Sequence, residues 1–164
     1  MDALDIKRIN DLAPYKVELI GQEYIFESYF GLQYAVSFDP ETMFEDMWPA
    51  YWLNLSNRSG QPSPSDTNVK LTIICILEEF FRVNPDILLY MCDSAGGQQA
   101  MRSRLFLRWF HSYGLQADYF TQTEMIHDEG EENYVALIVK RSHPHLNDII
   151  DFFNEQIKLF RENK

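Results

Sequence analysis

Cysteine is scarce in this chain. The two that occur, Cys75 and Cys92, have no metal-ligand spacing, because one falls in a predicted helix and the other at the end of a predicted strand. We therefore expect reduced, structural thiols, as is typical of a cytoplasmic protein. No metal site and no cofactor are expected from the cysteine pattern or from any other motif.

Positive charge is also in short supply, with 14 Lys and Arg residues against 25 Asp and Glu residues and a formal net charge of −11. A surface of this kind is well solvated and repels itself, and it is poorly suited to coating nucleic acid or an anionic membrane. The composition therefore predicts that nucleic acid is not the partner. A local basic patch could still bind nucleic acid, but the overall negative charge of the chain would oppose it.

Long hydrophobic runs are missing. No apolar run approaches the roughly 20 residues that span a bilayer, and the first eight residues contain no apolar stretch typical of a signal peptide. We expect a cytoplasmic protein that does not enter a membrane.

Aromatic residues, by contrast, are plentiful and run along the whole chain, with twelve Phe, nine Tyr and three Trp. A chain of 164 residues with 46% apolar residues suits one domain with a sizeable core. Residues 57–68 are rich in Ser and Pro and predict a flexible loop. They do not predict a domain boundary, because the segment before them is too short to close its own core.

Apolar periodicity predicts an α+β domain: a mostly antiparallel, strongly bent sheet of about six or seven strands with three main helices. Strands are predicted at 15–20, 23–30, 33–38, 52–56, 87–92, 116–126 and 133–141. In the second strand, Tyr24, Phe26 and Phe30 share the face predicted to be buried. An acidic, Gly-containing link at 128–132 predicts an exposed hairpin turn.

The predicted helices cover 69–83, about 97–113, and a last segment opened by Ser142 and Pro144. On the first of them, Asp66 or Asn68 is expected as the N-cap, and a polar half of the helical wheel contains Thr72, Glu78, Glu79 and Arg82. This helix forms a crossover before the strand at 87–92, which predicts parallel pairing of that strand with the meander.

The acidic and aromatic segment 41–50 predicts a short helix or an irregular loop. An aromatic face at 44–52 has two interpretations, of which packing over the sheet edge is the more usual. A homodimer contact is the alternative. The aromatic residues concerned are Phe44, Trp48, Tyr51 and Trp52.

Arg102 falls inside the aromatic arc of the helix predicted at about 97–113. A buried guanidinium needs a counter-charge, and Asp93 is the nearest candidate. Gly96 and Gly97 allow close approach to the first helical turn, where Asp93 competes with Ser94 as the cap and where free N–H groups attract anions. The segment therefore predicts either a small-anion site or a structural ion pair, and the ion pair is the commoner outcome.

Arg104, Arg108 and His111 fall on the opposite face of the same helix. At one-turn spacing they form a basic stripe that could contact a phosphate backbone or an acidic partner. A solvated helix face is the more usual explanation for such a stripe, especially with a net charge of −11.

Histidines at His143 and His145, with His127 beside Asp128, raise the question of a metal centre. Metal binding needs three or four converging ligands, and nothing in the pattern requires these two segments to converge. Ser142 and Pro144 explain the region better as the start of a helix.

The motif Tyr90-x-Cys92-Asp93, followed by Arg-x-Arg-x-Phe at 102–106 and Trp-Phe at 109–110, resembles the core of an uncharacterised family of short bacterial proteins, mainly from Bacteroidetes. The early Tyr-x-Phe at 24–26 and the helix at 72–81 resemble that family as well, so that roughly residues 15–160 are covered. The resemblance implies the fold and a cytoplasmic bacterial setting, but no reaction. Members tend to have a second charged residue where this chain has Ala-Gly-Gly at 95–97.

Three hypotheses for function follow. The first is a non-enzymatic binding module for a protein partner or a small anion. The second is a component of the toxin/antitoxin type, or one acting on nucleic acid, that uses the basic helix face. A weaker third is an acidic neutralising partner that acts through charge complementarity.

Overall fold

The computed structural model describes residues 1–44, 47–61, 65–93, 108–128 and 130–162. Its seven strands are β1 (Glu18–Ile20), β2 (Glu23–Glu27), β3 (Gln33–Glu41), β4 (Ala50–Asn57), β5 (Ile87–Asp93), β6 (Tyr119–Asp128) and β7 (Glu131–Lys140). Its helices are α1 (Ile6–Leu12), α2 (Thr67–Val83), α3 with described residues 108–112, and α4 (Leu146–Glu162). A single 3₁₀ turn covers Leu115–Ala117.

The strands form one sheet in the order β1-β2-β3-β4-β5-β7-β6. The β1–β2, β2–β3, β5–β7 and β6–β7 pairs are antiparallel, whereas β4 and β5 run parallel after the α2 crossover. The α+β class, the strand number and the parallel pair are confirmed. The acidic hairpin between β6 and β7 is confirmed as well, because Asp128 pairs with Glu131 at its end.

The chain divides into two compact units, of which the first comprises Met1–Asp39 with Leu53–Pro85 and the second Pro40–Trp52 with Asp86–Lys164. The single domain predicted over 1–164 stays a prediction. Within the described part of the chain, no helix combines the length and the hydropathy that crossing a membrane requires.

In the first unit, α2 begins at the predicted cap, since the Asp66 side chain accepts a hydrogen bond from the backbone N–H of Asn68. The buried face of α2 packs its aromatic residues against the sheet, with the Phe80 ring stacked on Phe38 at 4.6 Å. The sequence did not predict α1. This short helix begins at Asp5, whose carboxylate accepts from the backbone N–H groups of Lys7 and Arg8.

In the second unit, α4 covers one face of the sheet. Its buried Ile149, Phe153 and Ile157 pack with Leu89 and Leu137 of the strands in one apolar cluster. Burying large apolar side chains together removes them from water, which is the main stabilisation available to this unit.

The aromatic segment before β4 belongs to this same cluster. Phe44 is fully buried, and its ring lies 5.4 Å from Phe152 of α4, while Trp48 and Trp52 are partly buried against the cluster. Phe44, Trp48 and Trp52 therefore pack in the apolar cluster formed with β5 and β7, whereas the sequence predicted packing over the sheet edge. The segment contains turns between the end of β3 and the start of β4, as the loop interpretation predicted.

Candidate functional site

The proposed anion site falls mostly outside the part of the chain that the structure describes. Ser94, Gly96, Gly97 and Arg102 lie there, and so does Arg104 of the basic stripe. Asp93 is the last residue of β5, where it pairs with Asn133 of β7. The anion site and its ion-pair alternative therefore stay predictions.

Two residues of the basic stripe are described, and both are exposed on α3. Arg108 and His111 face solvent, and the Nε2 atom of His111 lies 2.8 Å from the Thr121 hydroxyl of β6. Phe110, between them in sequence, is fully buried and lies 5.3 Å from the Tyr119 ring. This division matches the predicted helical wheel, but the proposed contact of the stripe with a partner stays a prediction.

The two histidine segments lie at opposite ends of the β6–β7 hairpin. His127 pairs with Glu132 next to the turn, whereas Tyr119 pairs with Lys140 at the other end, eight residues along the ladder and about 25 Å away. Burial lowers the pKa of His143, with neighbouring His145 as the second cause, which favours a neutral imidazole. Among the described residues, no group of three or more His, Cys, Asp or Glu side chains converges on a point.

In the first unit, the turn between β2 and β3 comprises residues 28–32, and we call it the aromatic turn. The backbone N–H of Ser28 donates to the Leu32 carbonyl at 2.8 Å, and the N–H of Gly31 donates to the Ser28 carbonyl at 2.9 Å. The Ser28 hydroxyl also accepts from the Leu32 N–H at 3.3 Å. Gly31 has a φ of 74°, which an L side chain rarely adopts. The backbone of the turn is therefore held from both ends.

The turn displays two aromatic side chains to solvent while its ends are buried. Tyr29 is 89% exposed and Phe30 is 59% exposed, and their rings meet edge to face at 6.0 Å. Ser28 and Leu32, in contrast, are each 6% exposed. The expectation that Phe30 is buried with Tyr24 and Phe26 was wrong, because β2 ends at Glu27 and strand alternation ends with it.

A stack of aromatic rings supports this turn. The Phe26 ring is stacked on Tyr34 at 5.3 Å and on Tyr15 at 6.2 Å between ring centres, nearly parallel to each. The Tyr15 hydroxyl donates to the Asp66 carboxylate at 2.7 Å. Burial raises the pKa of Tyr15, and a backbone hydrogen bond from Tyr29 acts in the opposite direction. The strands on both sides of the turn are thus joined by packed rings, of which Phe26 and Tyr34 are buried and Tyr15 is half-buried.

The surroundings of the turn are acidic. Between residues 15 and 39 the sequence contains one cation, Lys16, against the carboxylates of Glu18, Glu23, Glu27 and Asp39. Arg58 neutralises Glu23 through an ion pair, and Lys16 lies 3.7 Å from Glu18. Glu27 is exposed directly before the turn. A partner surface that meets these rings would therefore meet the carboxylate of Glu27 next to them in the chain.

The sequence contains a signal for this turn, but the predicted turn begins too far along the chain. The predicted strands at 23–30 and 33–38 leave only Gly31 and Leu32 for the turn, whereas the hydrogen bonds place its start at Ser28. A Ser three residues before a Gly is compatible with both interpretations. Only the backbone geometry shows that Tyr29 and Phe30 belong to the turn and not to the strand.

Comparison with known proteins identifies a family. A family model described as a family of unknown function, DUF6169, matches residues 65–155, which is more than half of the chain. The aromatic turn precedes this matched segment. No curated protein and no solved structure matches the chain.

Proposed function

The chain belongs to DUF6169, a family of unknown function, and we propose that it is a non-enzymatic binding module whose protein partner is anchored by Tyr29 and Phe30. The observation that supports this most directly is the exposure of two adjacent aromatic rings, 89% and 59%, on a turn with buried ends. Exposed aromatic residues of this kind are the usual anchors of protein interfaces.

The rigidity of the turn supports the same proposal. Tyr and Phe each have only two side-chain torsions, and the backbone hydrogen bonds of the turn order the chain before any partner arrives. Binding therefore costs little conformational entropy, so most of the apolar surface that is buried contributes to affinity.

The charge around the turn favours a basic partner. We infer an apolar pocket with Lys or Arg at its rim, because the exposed Glu27 directly precedes the turn and the whole chain has a net charge of −11. Opposite charges at the rim of an interface accelerate association and exclude acidic competitors. The same negative charge repels phosphates, which argues against nucleic acid at this surface.

A cytoplasmic bacterial setting belongs to the proposal as well. It rests on the two isolated cysteines and on the family resemblance. The predicted small-anion site at Asp93, Ser94, Gly96, Gly97 and Arg102, and partner contact through the basic stripe, are separate predictions that this proposal does not need.

Photo-crosslinking in the source cells, followed by binding measurements with the purified partner, tests the proposal. A photoreactive phenylalanine analogue at position 29 is expected to crosslink to a basic protein. The same analogue at Leu12, which is 76% exposed in the same unit, is the control and is not expected to give that product. The captured protein is then purified, and its affinity for the full chain is measured by calorimetry.

In that measurement, the double variant Tyr29→Ser with Phe30→Ser is expected to bind at least roughly thirtyfold more weakly, which corresponds to a loss of about 2 kcal/mol, typical of one interface hot spot. Leu12→Ser is expected to bind like the unchanged chain. Equal crosslinking at both positions, no product at position 29, or an unchanged affinity of the double variant would contradict the proposal.

A further inference from the structure

Segment 2–15 of the chain contacts α2 through buried polar side chains of the helix and its C-cap. The Asp2 N–H donates to the Asn84 side-chain oxygen at 2.7 Å, and the Asn84 amide donates back to the Asp2 carbonyl at 3.1 Å. Farther along the segment, Arg8 forms an ion pair with Glu79. Asn84 and Glu79 are 3% and 5% exposed. Because a buried polar group that loses its partner costs free energy, these contacts fix the register of the segment on the helix.

Tyr15, at the end of this segment, is bound to the beginning of α2 at two points. Its backbone N–H donates to the Thr72 hydroxyl at 3.3 Å, and its own hydroxyl donates to the Asp66 carboxylate at 2.7 Å. Thr72 is fully buried, and Asp66 is the N-cap of the helix. Tyr15 thus bridges the N-cap and the second turn of α2, so that both its backbone and the tip of its ring are held in place.

The same tyrosine contacts the strand that leads into the aromatic turn. Its ring is stacked on Phe26, the residue before the end of β2 at Glu27. The backbone of Tyr29 also hydrogen-bonds the Tyr15 hydroxyl. One hydroxyl is therefore shared between the N-cap of α2 and the first exposed aromatic residue of the turn.

We propose that Tyr15 is a positioning residue of the aromatic turn, and that its hydroxyl, held by Asp66, fixes the orientation in which Tyr29 and Phe30 meet the protein partner. This role rests on the proposed function of the turn. Tyr15 itself is half-buried, whereas the two rings that it positions are exposed. A hydrogen bond to a carboxylate is stronger than one between neutral groups, so its loss is felt in the local order of the turn. A turn that is ordered before binding loses less conformational entropy on association.

Amide hydrogen exchange of the full chain, measured by NMR without a partner, tests the positioning role. Tyr15→Phe keeps the stacked ring and removes the hydroxyl. The amides whose hydrogen bonds close the aromatic turn are expected to exchange about tenfold faster, the effect of losing one hydrogen bond to a charged group. The amides of Ile76 and Leu77, in the middle of α2, are expected to exchange as in the unchanged chain.

Two further variants serve as comparisons for Tyr15→Phe. Tyr113→Phe removes an exposed hydroxyl from the second unit, and is expected to leave exchange in the turn unchanged. Asp66→Asn keeps an N-cap residue and a side-chain amide that can still bond the Tyr15 hydroxyl. It is expected to accelerate exchange in the turn less than Tyr15→Phe does.

Calorimetry with the basic protein captured at position 29 shows whether this order matters for binding. Tyr15→Phe is expected to bind roughly tenfold more weakly, with the loss in the entropy of binding, and Tyr113→Phe to bind like the unchanged chain. Unchanged exchange in the turn of Tyr15→Phe, equal acceleration at Ile76 and Leu77, or an unchanged affinity would each overturn the positioning role.

Failure of the positioning role is distinguishable from failure of the proposed function. If the double variant Tyr29→Ser with Phe30→Ser keeps its affinity, the turn is not the anchor and the proposed function is wrong. If the double variant binds weakly but Tyr15→Phe binds like the unchanged chain, the turn is the anchor and only the role of Tyr15 is wrong.

Discussion

Glu79 is the residue whose placement depends most on tertiary contacts. Among the described residues it is the only buried charged side chain, at 5% exposure, although the helical wheel of α2 places it on the polar half. Thr72 of that predicted polar half is buried as well, and its hydroxyl accepts from the Tyr15 N–H and donates to the Asn68 carbonyl. The Arg82 Nε donates to Glu79 at 2.5 Å, and the Arg8 Nε lies 3.6 Å from the same carboxylate. Arg8 belongs to α1, so a helix that periodicity did not predict approaches the polar half of α2.

We expect Glu79→Gln to lower the free energy of unfolding by about 1–3 kcal/mol, because it removes the charge from hydrogen bonds that are strongest to an ionised acceptor. Urea denaturation monitored by circular dichroism measures the change. Glu155→Gln, on the exposed face of α4, is the control, with an expected change within about 0.5 kcal/mol. Equal effects of the two substitutions would show that the pairing of Glu79 does not stabilise the fold.

At the scale of elements, α4 follows its predicted periodicity along most but not all of its length. Phe153 and Phe160 lie seven residues apart, so helical spacing predicts that both belong to the same apolar face of α4. Phe153 is fully buried against the sheet, whereas Phe160 is 39% exposed. Periodicity identifies the face of a helix, but it does not say where the neighbouring strands end beneath it.

Phe153→Ala is expected to cost about 3–5 kcal/mol of unfolding free energy, since it leaves a cavity in the cluster shared with β5 and β7. Phe160→Ala, the same substitution two turns later, is expected to cost several times less. Chemical denaturation of both variants measures the difference. Comparable losses would mean that the end of α4 is as tightly packed as its middle.

β2 and the aromatic turn show a related limit. Tyr24 and Phe26 were predicted to be buried, and both are, at 3% and 2% exposure. Phe30 continues the same alternation in the sequence, but its backbone has already entered a hydrogen-bonded turn. The sequence therefore did not predict the aromatic turn, because the two-residue alternation of a strand no longer applies once the turn begins.

The whole molecule has 14 Lys and Arg residues against 25 Asp and Glu residues. Folding brings this excess of negative charge into a smaller volume, where the charges repel one another. Salt screens such repulsion over a distance of about 10 Å at 0.1 M. We expect the melting temperature to rise as sodium chloride is added to a low-salt buffer, and to level off once screening is complete.

Differential scanning calorimetry in sodium chloride and in potassium chloride measures this effect, because screening by either salt at equal ionic strength should be the same. A melting temperature that falls with added salt would mean that the ion pairs contribute more than the net repulsion. A response that differs between the two cations would indicate specific ion binding.

The sequence by itself determined the α+β class, the number and approximate positions of the strands, the parallel crossover through α2 and most of the buried face of α2 and of α4. Each of these follows from local periodicity or from the handedness and length of one connection. Only the tertiary structure decided that Glu79 is buried and that Tyr29 and Phe30 are displayed. Those features depend on contacts between residues far apart in sequence, or on the residue at which a strand stops, and neither leaves a periodic signal in the chain.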